Sequence, residues 1–332
     1  MPIEEISLVV PCYNEEQVLE KFHERAGALA ENNPAYRFHF LFINDGSTDK
    51  TREILDRLAQ ADKRVQVLHL AGNRGHQAAI TAGIDFANGD LVVIMDADLQ
   101  DPPELVPQMI EKAEAGYDVI HAQRTNRRGE TLTKRFTAWA FYKLMRFLSR
   151  RNLVENCGDF RAFTQRVAQA IRAYPEPHRY IRGLFVDVGF RQCTLPYERD
   201  PRLAGETKYP YLKSARLAIT AVISFSAVPL KMILLLSFFL WGISLFYLIV
   251  ALYYYFILQY NVPGWTSLII LIIFFSGLQL FCLGILGTYV GKIFEQGQHR
   301  PLYWVASTRN IAAPPAPAPP HTPGTANPSP AP

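Results

Sequence analysis

Leu91-Val92-Val93-Ile94-Met95-Asp96-Ala97-Asp98-Leu99-Gln100-Asp101 runs five apolar residues straight into two carboxylates one alanine apart. A run that apolar predicts a short strand buried on both faces, as in a parallel sheet covered by helices. Two carboxylates at its end are costly to leave side by side unless positive charge sits between them. A hard divalent cation meets that need, taking oxygen ligands from one or two carboxylates and from substrate phosphates. The plainer alternative is a pair of solvated turn carboxylates ahead of Pro102-Pro103.

The residues on either side repeat the pattern. Ile6 to Val10 is a β-branched run stopped by Pro11, and Asn14-Glu15-Glu16 opens a helical pattern through about Leu29. Phe38 to Ile43 predicts a second strand ending at Asn44-Asp45-Gly46-Ser47-Thr48-Asp49, where Gly46 suits a tight turn and Ser47 or Thr48 can cap the next helix. Val65 to Leu70 and Tyr117 to Ala122 predict further strands, and small residues (Ala78, Ala79, Ala82, Gly83) let the helix between the third and fourth strands lie close on a sheet. Strand alternating with helix at this spacing predicts an α/β domain with a Rossmann-like, mostly parallel sheet. Ligands bind at the C-terminal ends of such strands. The polar clusters Asn14-Glu15, Asp45, Asn73-Arg74, Asp96/Asp98 and Arg124 all fall there. Neither a dinucleotide-binding glycine fingerprint nor a phosphate-cradling loop is present, which disfavours a dehydrogenase or an ATPase.

Composition divides the chain. No charged residue occurs from Met232 to Gly291, whereas the first part is normally charged. A net charge of +4 is too small and too dispersed for a nucleic-acid partner. Four scattered cysteines, with no Cys-x-x-Cys pair, suggest neither a zinc site nor a disulfide framework. The acidic start, Met1 to Glu5, does not read as a signal peptide.

Val9 to Glu15, Asn44 to Asp49 and Asp96-Ala97-Asp98-Leu99-Gln100-Asp101-Pro102-Pro103-Glu104 resemble, in order and spacing, the three sequence blocks of family 2 glycosyltransferases with the GT-A fold. The resemblance covers about the first 125 residues. It implies a nucleotide-sugar donor whose nucleoside contacts Pro11, Tyr13, Asn14, Glu15 and Asp45. It further implies Asp96 near the ribose or metal, and Asp98, with Gln100, on a Mg2+ or Mn2+ ion bridging the diphosphate.

Downstream, Cys157-Gly158-Asp159-Phe160-Arg161, Arg182-Gly183-Leu184 and Gly205-Glu206-Thr207-Lys208-Tyr209 resemble the polyprenyl-phosphate branch of that family, more closely its bactoprenol glucosyl transferases than its dolichol-phosphate mannose synthases. By that resemblance Asp159 lies at the reaction centre, Lys208 faces phosphate with Arg202 as helper, and the anomeric centre is inverted. Arg124, Arg128, Lys134 and Arg135 are expected to orient an acceptor phosphate through charge-assisted hydrogen bonds. A phosphate monoester has its second pKa near ~6, so it needs little help to ionise. Asp159 as a base and Asp159 as a positioning group therefore both remain open.

Phe136 to Arg151 interleaves aromatics with Lys143, Arg146, Arg150 and Arg151, which reads as a basic helix on a membrane surface or as a core helix with a solvated basic side. Met232–Leu258 and Thr266–Gly291 are each long enough for a bilayer core of about 30 Å. Lys213, Arg216 and Lys231 precede the first and Lys292 and Arg300 follow the second, which places both termini in the cytoplasm. The expected organisation is a cytoplasmic transferase domain over 1–210, an interfacial helix over 211–230, a two-helix transmembrane hairpin over 231–292, and a tail over 293–332 that is disordered after about 312. The expected protein is a homo-oligomeric, metal-dependent enzyme of the plasma membrane, moving a sugar from a nucleotide-sugar, UDP-glucose by resemblance, to undecaprenyl phosphate. A transferase with a hydroxyl acceptor and an inactive membrane scaffold are the competing readings.

Overall fold

The computed structural model describes residues 3–125, 157–174, 179, 181–198, 228–257, 264–298 and 300–311. Strands β1 (Glu5–Cys12), β2 (Arg37–Asn44), β3 (Val65–Leu70) and β4 (Leu91–Ile94) alternate with helices α1 (Leu19–Glu31), α2 (Thr51–Ala61) and α3 (His76–Phe86). A 3-10 turn at Pro103–Leu105 leads into α4 (Val106–Glu114), then β5 (Val119–Arg124). Next come β6 (Cys157–Thr164), α5 (Gln165–Arg172), α6 (Ile181–Asp187) and β7 (Gln192–Tyr197). Two long helices, α7 (Val228–Phe256) and α8 (Trp265–Gly297), precede a last strand, β8 (Val305–Arg309).

Eight strands form one sheet in the order β7-β5-β6-β4-β1-β2-β3-β8. Its centre is parallel: β1 pairs with β2 and β4, and β2 with β3. Successive side chains of β1 enter opposite layers, Ile6, Leu8 and Val10 packing with α1, α2 and α4 while Val9 packs with α3. A strand buried on both faces has no solvated side to carry polar residues, which accounts for the unbroken apolar run of β4.

Two features depart from the expected alternation. β6 inserts antiparallel between β4 and β5, so the fifth strand is not the neighbour of the fourth. The tail expected after the second long helix returns to the domain, and β8 caps the exposed edge of β3 as an antiparallel strand. An uncapped edge is a row of unpaired backbone donors and acceptors, and β8 satisfies them.

The first helix starts at Leu19 rather than at Asn14. Backbone N–H groups of Asn14, Glu15 and Glu16 donate instead to Ser47 Oγ, Thr51 Oγ1 and Asp49 Oδ2. Ser47 and Thr48 therefore do not cap α2. Asp49 Oδ1 accepts from Thr51 N at its start (3.0 Å).

Among the described residues one helical stretch, Phe274–Gly297, is long and apolar enough to cross a bilayer. A shorter apolar stretch, Leu235–Tyr247, lies in α7. The basic helix expected at 136–151 and most of the interfacial helix expected at 211–230 lie outside the described residues.

Candidate functional site

Every parallel strand of the sheet ends at one rim, and β6, running the other way, begins there. β1 delivers Tyr13 to Glu15, β2 Asp45, β3 Arg74 to His76, and β4 Asp96 to Asp101. β5 ends in Arg124, β7 ends in Tyr197, and the start of β6 supplies Asp159. The antiparallel insertion thus puts a carboxylate from late in the chain beside the Asp-Ala-Asp.

The residues expected to meet a nucleoside form two interlocked turns. Asn14 adopts φ +56°, which asparagine tolerates better than bulkier residues. Its Oδ1 accepts from Thr48 N at 2.9 Å, so it ties the first turn to the second. Gly46 lies at φ +65°, and a Cβ there would stand 2.5 Å from the Asn73 backbone nitrogen. No other residue lets these turns approach so closely. Asp45 is buried, and its two oxygens accept from Arg74 N (2.7 Å) and Gly75 N (2.9 Å). Burial raises its pKa despite those two donors. Tyr13 is exposed and Pro11 sits within β1, paired with Ile43.

The acidic turn after β4 is strained: buried Leu99 adopts φ +58°. A left-handed non-glycine residue costs about 1–3 kcal/mol and marks a geometry the surroundings impose. Asp98 Oδ1 accepts from Gln100 N at 3.2 Å, and the Gln100 side chain is buried. Burial and the carboxylates of Asp101, Asp159 and Asp98 push the Asp96 pKa up to about 6, with His76 opposing them. Among the described residues no group of three His, Cys, Asp or Glu side chains is arranged to hold a metal ion. A site with one or two carboxylates fits a hard cation that completes its shell with substrate phosphates and water.

Asp159 is the most heavily engaged carboxylate. Arg182 donates to both its oxygens, Nε at 2.8 Å and Nη2 at 3.0 Å. His76 Nε2 lies 3.3 Å from Asp159 Oδ2 and 3.7 Å from Asp96 Oδ1, bridging the two acids. Behind them the buried Arg161 guanidinium, 4.0 Å from Asp159 Oδ1, donates to Gly158 O and lies 4.6 Å over the Phe185 ring. Burial alone would raise the Asp159 pKa, but His76, Arg182 and Arg161 together hold it well below the usual carboxylate range. The same carboxylates raise the His76 pKa against its desolvation.

Arg124 is turned inward as well as to the rim. Its Nε donates to Tyr197 Oη (3.2 Å), whose hydroxyl donates to fully buried Asp101 Oδ1 (2.7 Å). A Cβ on Gly158 would stand 2.6 Å from Arg124 Nη2. That glycine leaves the guanidinium its space.

The rim gathers Tyr13, Asn14, Glu15, Asp45, Asp96, Asp98, Arg124 and Asp159 of the sequence-expected residues. Arg128, Lys134, Arg135, Arg202 and Lys208 lie outside the described residues. Sequence reasoning gave no role to His76, Arg182, Asp101 or Tyr197. Arg182 stood within the Arg-Gly-Leu segment and Asp101 within the block that begins at Asp96, the two signals available. His76 and Tyr197 carry no local pattern, because their partners are distant in the chain.

The family model for glycosyl transferase family 2 matches residues 7–172, from β1 through α5. Among curated proteins, the uncharacterized glycosyltransferase YkcC of Bacillus subtilis is 40% identical over 92% of this chain and 94% of its own length. The bactoprenol glucosyl transferase of Shigella phage SfV is 37% identical over 92% of this chain and 99% of its own. A prophage bactoprenol glucosyl transferase homolog of Escherichia coli is 36% identical over 90% of this chain and 97% of its own. With a family model across half its length and such relatives across nine-tenths of it, this chain belongs to glycosyl transferase family 2.

Proposed function

We propose that this chain is a membrane-anchored, inverting glycosyltransferase that moves a sugar, glucose from UDP-glucose, onto the phosphate of a polyprenol of the undecaprenyl type. The observation that carries this reading is where the chain leaves and rejoins the sheet. It leaves from Tyr197, at the C-terminal end of β7, and returns at Val305, opposite Leu70 at the C-terminal end of β3. Both connections to the long helices therefore start from the rim that bears Asp96 and Asp159. The bactoprenol glucosyl transferase of phage SfV, and the prophage homolog of such a transferase named above, support the lipid acceptor by similarity.

A strand that re-enters the sheet requires the chain on both sides of α7 and α8 to share one compartment. If α8 crosses a bilayer, a second crossing must return the chain, and α7 is long enough to supply it. The 29 residues of α7 and 33 of α8 reach beyond a core of about 30 Å at 1.5 Å per residue. This supports a two-span hairpin over 231–292, and the basic flanking residues support a cytoplasmic catalytic domain over 1–210. Anchoring holds the enzyme in the layer that its acceptor's phosphate never leaves, which raises their effective concentration. A homo-oligomer, implied by family resemblance, belongs to the same proposal.

In this mechanism the turns of Tyr13–Glu15 and Asp45 hold the nucleoside, with Lys208 and Arg202 on its phosphates. Asp98 and Asp96, with Gln100, would hold Mg2+ or Mn2+, which would supply positive charge to offset that developing on the departing nucleoside diphosphate. Arg124, with Arg128, Lys134 and Arg135, orients the acceptor phosphate. An acceptor oxygen bonds to the anomeric carbon from the face opposite the diphosphate, whose bond to that carbon breaks as the nucleoside diphosphate departs. Asp159, ionised and clamped by Arg182, sets the positions of Arg182 and His76 and takes no proton.

The test is the incubation of detergent-solubilised enzyme with radiolabelled sugar nucleotides and undecaprenyl phosphate. A chloroform-soluble, acid-labile product is expected with UDP-glucose. No such product with any donor refutes the lipid-phosphate reading, and product only on a hydroxyl acceptor replaces it.

A further inference from the structure

The strand behind the second long helix reaches the nucleoside turn through a chain of polar side chains. Arg309 Nε, on β8, lies 2.9 Å from Asp56 Oδ1 of α2. The same oxygen lies 3.2 Å from His69 Nε2, and His69 Nδ1 lies 3.0 Å from Asn44 Nδ2. Asn44 Oδ1 accepts from Ser47 N (3.0 Å), and Ser47 Oγ accepts from Asn14 N (3.0 Å). His69 and Asn44 are buried, while Asp56 and Arg309 are partly open to solvent.

The direction of every hydrogen bond in this chain follows from its ends. Ser47 N–H can only donate, so Asn44 turns its oxygen there and its NH2 toward His69. His69 Nδ1 must then be the acceptor, which leaves the proton on Nε2 facing the Asp56 carboxylate. One neutral tautomer satisfies both neighbours, and a second ring proton would face the Asn44 NH2 group. Such a network fixes side chains tightly when every member is satisfied.

The residues flanking β8 brace the adjoining turn too. Ala71 N donates to Trp304 O (2.8 Å), two residues before the Asn73 backbone that packs against Gly46. Asn310 Nδ2 donates to Ala59 O and Val65 O, and Tyr303 Oη to Asp85 Oδ2. Both turns that form the nucleoside side of the rim thus rest on the segment that follows the long helices.

We infer that His69 and Asp56, braced by Arg309 of β8, are positioning residues for the nucleotide, holding the Asn44–Thr48 turn in its binding geometry. The inference rests on the nucleotide-sugar reading above. None of the three residues touches the nucleotide itself. Their effect passes through Asn44 and Ser47 to Asp45 and Asn14.

The experiment uses the full chain in detergent and measures binding of uridine diphosphate with Mn2+ by calorimetry, alongside KM for UDP-glucose and for undecaprenyl phosphate. His69→Leu removes both hydrogen bonds, and His69→Gln restores an acceptor toward Asn44 and a donor toward Asp56. His69→Leu is expected to weaken nucleotide binding about 10-fold with the lipid KM unchanged, and His69→Gln to recover most of it. Arg309→Ala, at a solvent-accessible position, is expected to weaken it about 3-fold, and it serves if His69→Leu does not fold. Wild-type affinity in Arg309→Ala and His69→Leu overturns the inference, as does equal loss in His69→Leu and His69→Gln or a parallel rise in lipid KM. Failure of the unaltered protein to bind uridine diphosphate overturns the nucleotide reading itself, and the inference with it.

Discussion

Replacing Asp159 by asparagine separates the two roles a carboxylate at this position can have. As a base it would take a proton from a phosphate monoester whose second pKa is near ~6. Its own pKa is held well below the ordinary 3.8 by His76, Arg182 and Arg161. The gap of at least ~2 pH units makes the transfer uphill by roughly 3 kcal/mol, a factor of about 100 against it. A positioning role predicts a different loss. Asparagine keeps one acceptor oxygen, so one of the two bonds from Arg182 survives as a neutral one and the guanidinium loses its clamp. Misplacement on that scale costs roughly 10- to 100-fold in kcat. It also removes a negative charge 4.0 Å from the buried Arg161 guanidinium, so the melting temperature falls and rates are to be compared well below it. The assay is initial rate against pH from about 5 to 9 at saturating lipid and donor. Asp159→Asn is expected to lower the whole profile with its acid limb unmoved. Loss of the acid limb, or a fall in rate beyond about 10⁴-fold, would refute the argument.

Two further outcomes follow from the same rim. Asp96, with its pKa raised to about 6, holds a proton in the metal-free protein below that pH. A ligand must be deprotonated to bind, so Mn2+ affinity should be flat above about pH 6 and fall up to 10-fold per pH unit below it, with Asp96→Asn abolishing the slope in a metal titration. Gly158→Ala places a Cβ 2.6 Å from Arg124 Nη2. The guanidinium is the far end of a flexible side chain and can swing aside, so the melting temperature should change little. The KM for undecaprenyl phosphate should rise, an effect that should vanish in an Arg124→Ala background, since the two sites share one contact.

Much of the rim around Asp45 and Asp96 was legible in sequence because its information is local. A buried strand needs an unbroken apolar run, its C-terminal end must turn, and polar residues at each such turn land on one rim of a parallel sheet. β1 to β4 and the turns at Asp45 and Asp96 follow from that rule, and so does Gly46 at φ +65°. The rule failed at Asn14, where a helix start was expected. Helix-start donors there are satisfied by Ser47, Thr51 and Asp49, more than thirty residues away. The eight-residue run Cys157–Thr164 has strand composition but no cue to its partners, and its place between β4 and β5 is a choice among sheet neighbours.

By itself, then, the amino-acid sequence determined an α/β domain, a rim of polar turns around Asp96 and Asp98, a family resemblance, and a long uncharged stretch. Tertiary structure decided strand order, the return of β8 to the sheet, and the ionisation of Asp159. Local pattern specifies which face of an element is buried, because that depends on residues one turn or one pleat apart. It does not specify which element lies on that face. The charge state of Asp159 depends on His76 and Arg182, 83 and 23 residues away, and only the folded chain brings those three groups within 3.3 Å.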